Sequence, residues 1–332
     1  MEDPRARRAS AGKDEAPLAV PYSRWVKGLL IPVAAAMALA ASASGATPAA
    51  RNGRIAYAYS AHAQHFQIYS VSPAGKQRRQ LTRGHAGDSK SPAYSPDGKR
   101  ILFTRLSNRG ESDLWLMSAD GTRLRRLTWT KRFDEDSPVW SPDGKEIAFA
   151  IDAPPQAKAA GIWIENADGT HLRRLTKGGD ANPSWSPDGS QIAFDRAGGI
   201  WTVAASGGTP TQVAASGKGS NPPVWDDSNP AWSPDGQRIV FVGDANESGH
   251  YDLWILELSA GPPYSITRLT NTAFDEDDPA WSPDGSQIVY DGASAATSRI
   301  GVMSSDGTHA HFITRRCHCL SWAFTPAWQP LP

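Results

Sequence analysis

The stretch SPDGKEIAFAI, from Ser141 to Ile151, decides the fold because close copies of it recur along the chain. The tetrapeptide SPDG starts at Ser95, Ser141, Ser186, Ser233 and Ser282, so successive copies lie 45 to 49 residues apart. Proline at the second position and glycine at the fourth favour a type I turn. A segment rich in β-branched and aromatic residues follows each turn, which indicates a hairpin between two strands.

Each repeat supplies two further strands. A second apolar segment, such as DLWLMS or DLWILE, follows the first. A second turn, such as ADGT at Ala119 or SDGT at Ser305, then precedes a short segment such as RLRRLT, and a degenerate sixth repeat begins at Asn52-Gly53. Four short strands in a repeat of about 45 residues are the signature of propeller blades. The sequence therefore predicts an all-β, six-bladed β-propeller of four-stranded blades over residues 51–332.

The two ends of this segment predict how the ring closes. The chain stops at TPAWQP, Thr325 to Pro330, followed by two residues, and this segment reads as a first strand without the other three of its blade. The repeats start at RIAY, Arg54 to Tyr57, which reads as a second strand without a first. We therefore expect the C-terminal strand to complete the N-terminal blade, because that pairing hides two sheet edges.

The repeats resemble those of the TolB family of β-propellers. The resemblance rests on S-P-D-G-x-x-I-A-F, D-L-W-x-M-x-A-D-G-T and R-R-L-T, and five full copies cover essentially all of residues 51–332. It implies the propeller fold and a protein of the bacterial periplasm. TolB proper carries an α/β domain before its propeller. We expect that domain to be missing here, since only residues 1–50 precede the first repeat.

Residues 1–50 differ in composition from the repeats. Basic residues precede a 13-residue apolar run, Leu29 to Ala41, and small residues follow it. This is the layout of a secretory signal, and the run is shorter than the roughly 20 residues that a membrane-spanning helix needs. We expect residues 1–50 to be a signal peptide or membrane-targeting segment with a flexible linker. The protein is then exported to the periplasm or cell surface, and it is membrane-tethered where the segment stays uncleaved.

Charge and cysteine content restrict the partners. The chain has 34 basic and 34 acidic residues, and 28 basic and 30 acidic remain when residues 1–50 are set aside. Nucleic acid is not an expected partner, because proteins that bind it usually carry a basic excess. The two cysteines, Cys317 and Cys319, predict either a strained disulfide in the exported protein or a weak metal clip. A structural zinc site would need four ligands.

Most tryptophans follow the repeat and are expected to fill the spaces between blades. If the strands of a blade are lettered A to D from the channel outward, one strand-A position holds Tyr94, Trp140, Trp185, Trp232, Trp281 and Trp328. One strand-C position holds Trp115, Trp163, Trp201 and Trp254. Trp129, Trp225 and Trp322 fall outside the pattern, in connections between blades, and are better candidates for surface contact.

Acidic residues concentrate in the D–A connections, which share one face of the ring with the B–C loops. We predict an acidic channel mouth formed by Asp88, Asp134, Asp136, Asp180, Asp226, Asp227, Asp275 and Asp277. Carboxylates held close together recruit a cation or raise one another's pKa. Three interpretations stay open, namely a calcium site, a binding surface for a basic segment of a partner, and solvated caps of strand A. The metal candidates are Asp134, Asp136, Asp275 and Asp277, and calcium is the only cofactor expected, although none is required.

No catalytic motif emerges, since the sequence lacks G-x-S-x-G, a P-loop and a G-x-G-x-x-G after a strand. We therefore predict a non-enzymatic, monomeric module that binds a protein or envelope component through the D–A and B–C face. It would meet the membrane only through residues 1–50. The alternative is a metal-dependent polysaccharide lyase or hydrolase on the same face, because propeller lyases of pectic oligosaccharides resemble this repeat and hold a metal with loop histidines. The histidines on that face are His62, His65, His85, His250 and His318.

Overall fold

Six four-stranded antiparallel sheets form the protein, as the computed structural model shows and as the repeats predicted. The structure describes residues 51–61, 65–84, 87–107, 110–130, 133–153, 158–214, 227–244, 250–259, 261–294, 297–314 and 322–331. Across these ranges there is no helix with the length and apolar character of a membrane span.

The strands follow one another in the order that the repeats predict. The first three are β1 (Arg51–Ser60), β2 (Gln67–Val71) and β3 (Arg79–Gln80). Blade 2 contains β4 (Ser89–Tyr94), β5 (Arg100–Leu106), β6 (Ser112–Ser118) and β7 (Arg125–Arg126). Blade 3 contains β8 (Asp134–Trp140), β9 (Glu146–Asp152), β10 (Gly161–Asn166) and β11 (Arg173–Arg174).

The second half repeats the same arrangement. Blade 4 contains β12 (Ala181–Trp185), β13 (Gln191–Arg196), β14 (Gly199–Ala204) and β15 (Thr211–Ala214). Blade 5 contains β16 (Ser228–Trp232), β17 (Arg238–Gly243), β18 (Asp252–Glu257) and β19 (Ser265–Arg268). Blade 6 contains β20 (Asp275–Trp281), β21 (Gln287–Ser294), β22 (Thr297–Ser304) and β23 (His311–Phe312), and the last strand is β24 (Trp322–Leu331).

The last strand closes the ring, which confirms the predicted closure. Blade 1 has the order β24-β1-β2-β3, so the C-terminal strand takes the innermost position beside the N-terminal strand. The two pair antiparallel, with Ile55 opposite Trp328. Trp328 is buried and packs with Ile55, Val71 and Val289, which belong to blades 1 and 6. One strand therefore closes the ring beside β1 and also fills the last gap between blades.

The SPDG segments form the A–B turns, as blade 3 illustrates. The Gly144 N–H donates to the carbonyl of Ser141 over 2.9 Å, and Gly144 has a left-handed φ of 70°. The Asp143 carboxylate accepts the Ser141 hydroxyl at 2.7 Å and the Lys145 N–H at 3.0 Å. These hydrogen bonds, the one from Ser141 first, lower the pKa of Asp143. This aspartate is therefore a turn residue, as the sequence predicted.

Apolar faces hold neighbouring blades together. Between blades 2 and 3, Leu102 and Leu116 pack against Trp140 and Phe149. The Trp140 indole N–H also donates across the boundary to the Ala93 carbonyl at 3.2 Å. Each fully buried large side chain contributes about 1.5–3 kcal/mol relative to exposure. The strand-A tryptophans are therefore packing residues, and the channel that they surround is positioned by this core.

Candidate binding site at the channel mouth

One residue in each blade has an unusual backbone conformation at the channel. It precedes the proline of strand A and has a φ between 48° and 51° in every case. Each lies at a β-bulge that interrupts the pairing of strands A and B. A bulge bends a strand and redirects its side chains. We call these six residues the corner ring: Ser91, Ser137, Asn182, Asn229, Asp278 and Thr325.

Hydrogen bonds at or beside the corner ring cross all six blade boundaries. Ser91 makes two of them: its N–H donates to Thr325 Oγ1 (3.2 Å) and its hydroxyl donates to Asp136 (2.9 Å). The Ser137 hydroxyl donates to Asn182 Oδ1 (2.8 Å), and the Trp232 N–H donates to Ser184 Oγ (3.1 Å). The other two are donated by Asn229 Nδ2 to Asp278 (2.9 Å) and by the Thr325 N–H to Asp278 (3.0 Å). The mouth of the channel is therefore a closed polar belt.

A cavity of about 350 Å³ lies in the channel below this belt. Its walls are the corner ring, the prolines that follow it, and mainly alanine and tryptophan side chains of strand A. Asp278 is the only charged residue among the described residues that line it. The cavity therefore offers apolar walls with a single carboxyl group near the entrance.

That carboxyl group is paired with a second, buried carboxyl group. Asp278 is hydrogen-bonded to Asp291 of strand β21. Burial, and then the charge of Asp277, raises the pKa of Asp278 to about 8. Burial and the neighbouring Asp278 also raise the pKa of Asp291 well above its ordinary value. Two carboxyl groups this close favour holding a proton between them.

The first predicted acidic triplet places its two aspartates in different surroundings. Asp134 accepts the N–H of Ser112 at 2.9 Å, at the start of strand C in the preceding blade. Asp136 accepts the hydroxyls of Ser91 at 2.9 Å and Thr104 at 3.1 Å, beside the channel. The structure therefore brings only the second of these aspartates to the corner ring.

The second triplet repeats this division. Asp275 accepts the Tyr251 N–H at 3.2 Å and lies 3.2 Å from the His250 ring, outside the channel lining. Asp277 accepts Asn229 Nδ2 at 2.6 Å, beside the corner ring. The four metal candidates are thus split into an inner pair, Asp136 and Asp277, and an outer pair, Asp134 and Asp275.

The glutamate in the middle of each triplet links two blades, a role that the sequence did not reveal. Glu135 has no exposed surface and accepts Thr130 Oγ1 at 2.7 Å, the Leu114 N–H at 3.3 Å and the Thr128 hydroxyl. Glu276 is likewise buried and accepts Thr270 Oγ1 at 2.9 Å. Burial raises the pKa of both carboxyl groups.

The remaining site candidates lie away from the corner ring or outside the described residues. Asp88 accepts the Phe66 N–H at 3.0 Å and lies 3.8 Å from Lys90 Nζ. Asp180 is buried in a bidentate pair with Arg196, and Asp227 is also buried. The candidates outside the described ranges are Asp226, Cys317, Cys319, His62, His85 and His318.

Sequence reasoning also missed the corner ring, although a signal was present. The residue before the strand-A proline is always Ser, Asn, Asp or Thr. Asparagine and aspartate tolerate a positive φ better than most residues, and all four types hydrogen-bond nearby backbone. The described residues contain no group of three His, Cys, Asp or Glu that could hold a metal ion. The calcium site at Asp134, Asp136, Asp275 and Asp277 stays a prediction.

The fold and the belt define a six-bladed β-propeller with a polar ring at one channel mouth. The family model described as "TolB beta propeller domain" matches residues 41–150. Over those residues the match confirms a repeat of the TolB type, as the sequence predicted. No curated protein matches the sequence.

Solved structures share this propeller. The chain is 24% identical to TolB from Acinetobacter baumannii, with a TM-score of 0.69 over 83% of this chain and 66% of that one. It is 20% identical to a putative TolB from Agrobacterium tumefaciens, with a TM-score of 0.63 over 84% and 99% of the two chains. An oligogalacturonate lyase in complex with manganese is 16% identical, with a TM-score of 0.54 over 76% and 71%. At these identities the likeness shows the fold.

Proposed function

We propose that this chain is an exported, protein-binding module of the cell envelope that receives a basic segment of its partner at the corner ring. The observation that carries the proposal is the placement of acidic side chains at blades 3 and 6. Asp136 stands at one, and Asp277 stands at the other. Blades 3 and 6 face each other across a ring of six, so a cationic segment crossing the mouth meets a carboxylate at both sides.

The surroundings of these aspartates suit such a segment. The strand-A residues just before the corner ring are Phe324, Lys90, Asp136, Ala181, Ser228 and Asp277. The single cation among them, Lys90, lies near the Asp88 carboxylate, which offsets its charge. The cavity below has apolar walls that accept the aliphatic part of a lysine or arginine side chain. Charge at the mouth therefore steers the segment, and the cavity holds it.

A matched pair of double variants tests this proposal. Asp136→Asn with Asp277→Asn removes two charges beside the corner ring, whereas Asp134→Asn with Asp275→Asn removes the same charge from the outer positions. The propeller would be immobilised and used to capture partners from an envelope extract. We expect the inner variant to lose its partner, added salt to weaken capture by the parent, and the outer variant to keep it. Equal loss in both variants would show that total charge, not the corner ring, attracts the partner.

Export rests on residues 1–50 and on the TolB-type repeat. Mass spectrometry of the envelope fraction should detect a new N-terminus between Ala40 and Arg51. Recovery of the intact chain from the cytosol alone would contradict export and would leave the corner-ring proposal to the capture experiment.

A metal-dependent lyase or hydrolase remains the alternative function. The fold shared with the manganese-bound oligogalacturonate lyase is the observation that favours it. The test is incubation of the mature chain with oligogalacturonides and either Mn²⁺ or Ca²⁺. New unsaturated products, recorded at the ultraviolet absorbance of the 4,5 double bond, would support a lyase.

A further inference from the structure

Blade 4 contains an arginine whose positive charge is paired with a carboxylate. Arg196, at the end of strand β13, donates Nε and Nη2 to the two oxygens of Asp180 at 2.6 and 2.7 Å. Its guanidinium lies 5.3 Å from the ring centre of Trp201. Asp180 is buried, and a buried charge needs such a partner. An arginine, an aromatic ring and an acid therefore form one unit at the end of this blade.

Blade 2 carries the same unit without its acid. Arg105, the second-last residue of strand β5, occupies the position of Arg196, and its guanidinium lies 5.2 Å from the ring centre of Trp115. Ser89 is the register partner of Arg105 and stands where blade 4 has Asp180. Ser89 is completely buried, and its hydroxyl has no hydrogen-bond partner within the described ranges.

No other acid replaces the missing one. None of the described carboxylates lies within ion-pair distance of Arg105. Asp113, which shares the same cavity, is already bound by Arg126 at 2.5 Å. Residues 85–86 and 108–109, which flank this part of the sequence outside the described ranges, are His, Ala, Asn and Arg and include no carboxylate.

Arg105 opens into a cavity of about 250 Å³. The wall consists of Arg105, Leu106, Ser107, Asp113, Trp115 and Arg126. Two guanidinium groups and one carboxylate leave the wall with a single positive charge. Arg126 also stacks on Trp129, which is 70% exposed beside the cavity. The cavity thus combines the Arg105 guanidinium, which has no carboxylate partner among the described residues, with apolar surface for the carbon chain of a ligand.

We propose that this cavity binds a carboxylate group, which pairs with Arg105 as Asp180 pairs with Arg196. The carboxylate belongs either to an acidic side chain of a peptide or to a free organic acid. The site lies at the end of blade 2, apart from the corner ring, so it does not depend on the proposed function. Charge-assisted pairing with an arginine fork gives the recognition, and the Trp115 ring orients the guanidinium.

Calorimetry on the full chain at constant ionic strength tests the site with two probes. N-acetyl-glutamate N-methylamide represents the peptide source and acetate represents the free acid. We expect millimolar or tighter binding, and preference for one probe identifies the source.

Arg105→Gln should weaken binding by about tenfold or more, the size of a lost charged hydrogen bond. Arg100→Gln is the matched control, since Arg100 stacks on Trp140 at 4.5 Å on the other face. Failure of both probes to bind, or equal weakening by both variants, would overturn the proposal.

A second pair of variants tests the missing acid directly. Ser89→Asp rebuilds the blade 4 unit inside blade 2, so it should raise the melting temperature and abolish binding of the probe. Ser89→Asn has the same size without the charge, so it should do neither. If Ser89→Asp melts no higher than Ser89→Asn and still binds the probe, Arg105 is not the receptor. This comparison does not require Arg105 to be changed.

Discussion

At the scale of single residues, the D-E-D triplets show how one tripeptide serves three purposes. In β8, Asp134 fixes the start of the neighbouring strand C, Glu135 joins two blades, and Asp136 reaches the channel belt. Two residues of a strand advance the chain by about 7 Å, more than the spacing between adjacent strands. Two carboxylates in one short segment therefore sit at different distances from the channel.

The buried glutamate of this triplet should be the most important for stability. Glu135→Gln removes a charged acceptor from Thr130, Thr128 and the Leu114 N–H, so we expect a loss of about 1–3 kcal/mol in the free energy of unfolding. Urea denaturation measures the change. Glu146→Gln in the same blade is the control, because its pair with Arg173 is partly exposed to solvent and should be worth about 0–1 kcal/mol. Equal effects would contradict the blade-linking role.

A second buried glutamate should weaken the protein as pH rises. Burial, and then the charge of Glu135, raises the pKa of Glu165 from 4.5 to about 7. Its Oε1 has no hydrogen-bond partner in the described part of the chain, and blade 2 has Met117 at this position. Because the folded state favours the protonated acid, the free energy of unfolding should fall as pH rises from 4.5 through 7.

Glu165→Met should remove this penalty. We expect a gain of about 2 kcal/mol at pH 8 and a smaller gain at pH 5, after allowance for partial solvation of the carboxylate. Urea denaturation at the two pH values measures both. A gain that is the same at pH 5 and pH 8 would show that packing, not ionisation, accounts for the effect.

At the scale of elements, β24 should contribute more to stability than its peripheral place in the sequence suggests. Trp328→Ala empties a buried position between blades 1 and 6, so we expect a loss of about 3–5 kcal/mol. Trp129→Ala, at the 70% exposed tryptophan, should change stability by no more than about 0.5 kcal/mol. Thermal unfolding compares the two variants. Matching melting temperatures would contradict the closure of the core by Trp328.

The elements are also where prediction from sequence succeeded and where it stopped. Turn chemistry and spacing predicted the blades, and the unpaired strand at Arg54 predicted the partner of β24. They did not reveal that Ser137 and its counterparts turn at a bulge, because a bulge changes the register without changing the pattern of apolar residues. The candidate site residues beside this bulge, such as Asp136, were predicted only because acidic residues concentrate in the D–A connections. That concentration does not predict how far each carboxylate lies from the channel.

At the scale of the whole molecule, the channel mouth should respond to pH. In the folded state the pKa of Asp278 is raised from 3.8 to about 8, so its contribution to stability is complete at low pH and is lost as pH rises from 3.8 through 8. Asp291→Asn removes one of the two paired carboxyl groups and still donates a hydrogen bond to Asp278. We expect this variant to gain stability relative to the parent as pH increases, with melting temperatures followed from pH 5 to 9.

A turn aspartate provides the opposite control. The pKa of Asp143 is lowered, so its contribution is present above 3.8 and is lost as pH falls. Asp143→Asn should therefore cost stability at neutral pH and cost less in acid. If Asp291→Asn followed the same trend as Asp143→Asn, the shared proton at the mouth would be disproved.

The antiparallel pairing of β1 with β24 also has a consequence for biosynthesis. A ribosome makes Ile55 long before Trp328, yet the two are neighbours in one sheet. Until the final ten-residue strand has emerged, blade 1 has an open inner edge and the seam beside blade 6 is unfilled. A nascent propeller of this kind therefore cannot close its ring until β24 has left the ribosome.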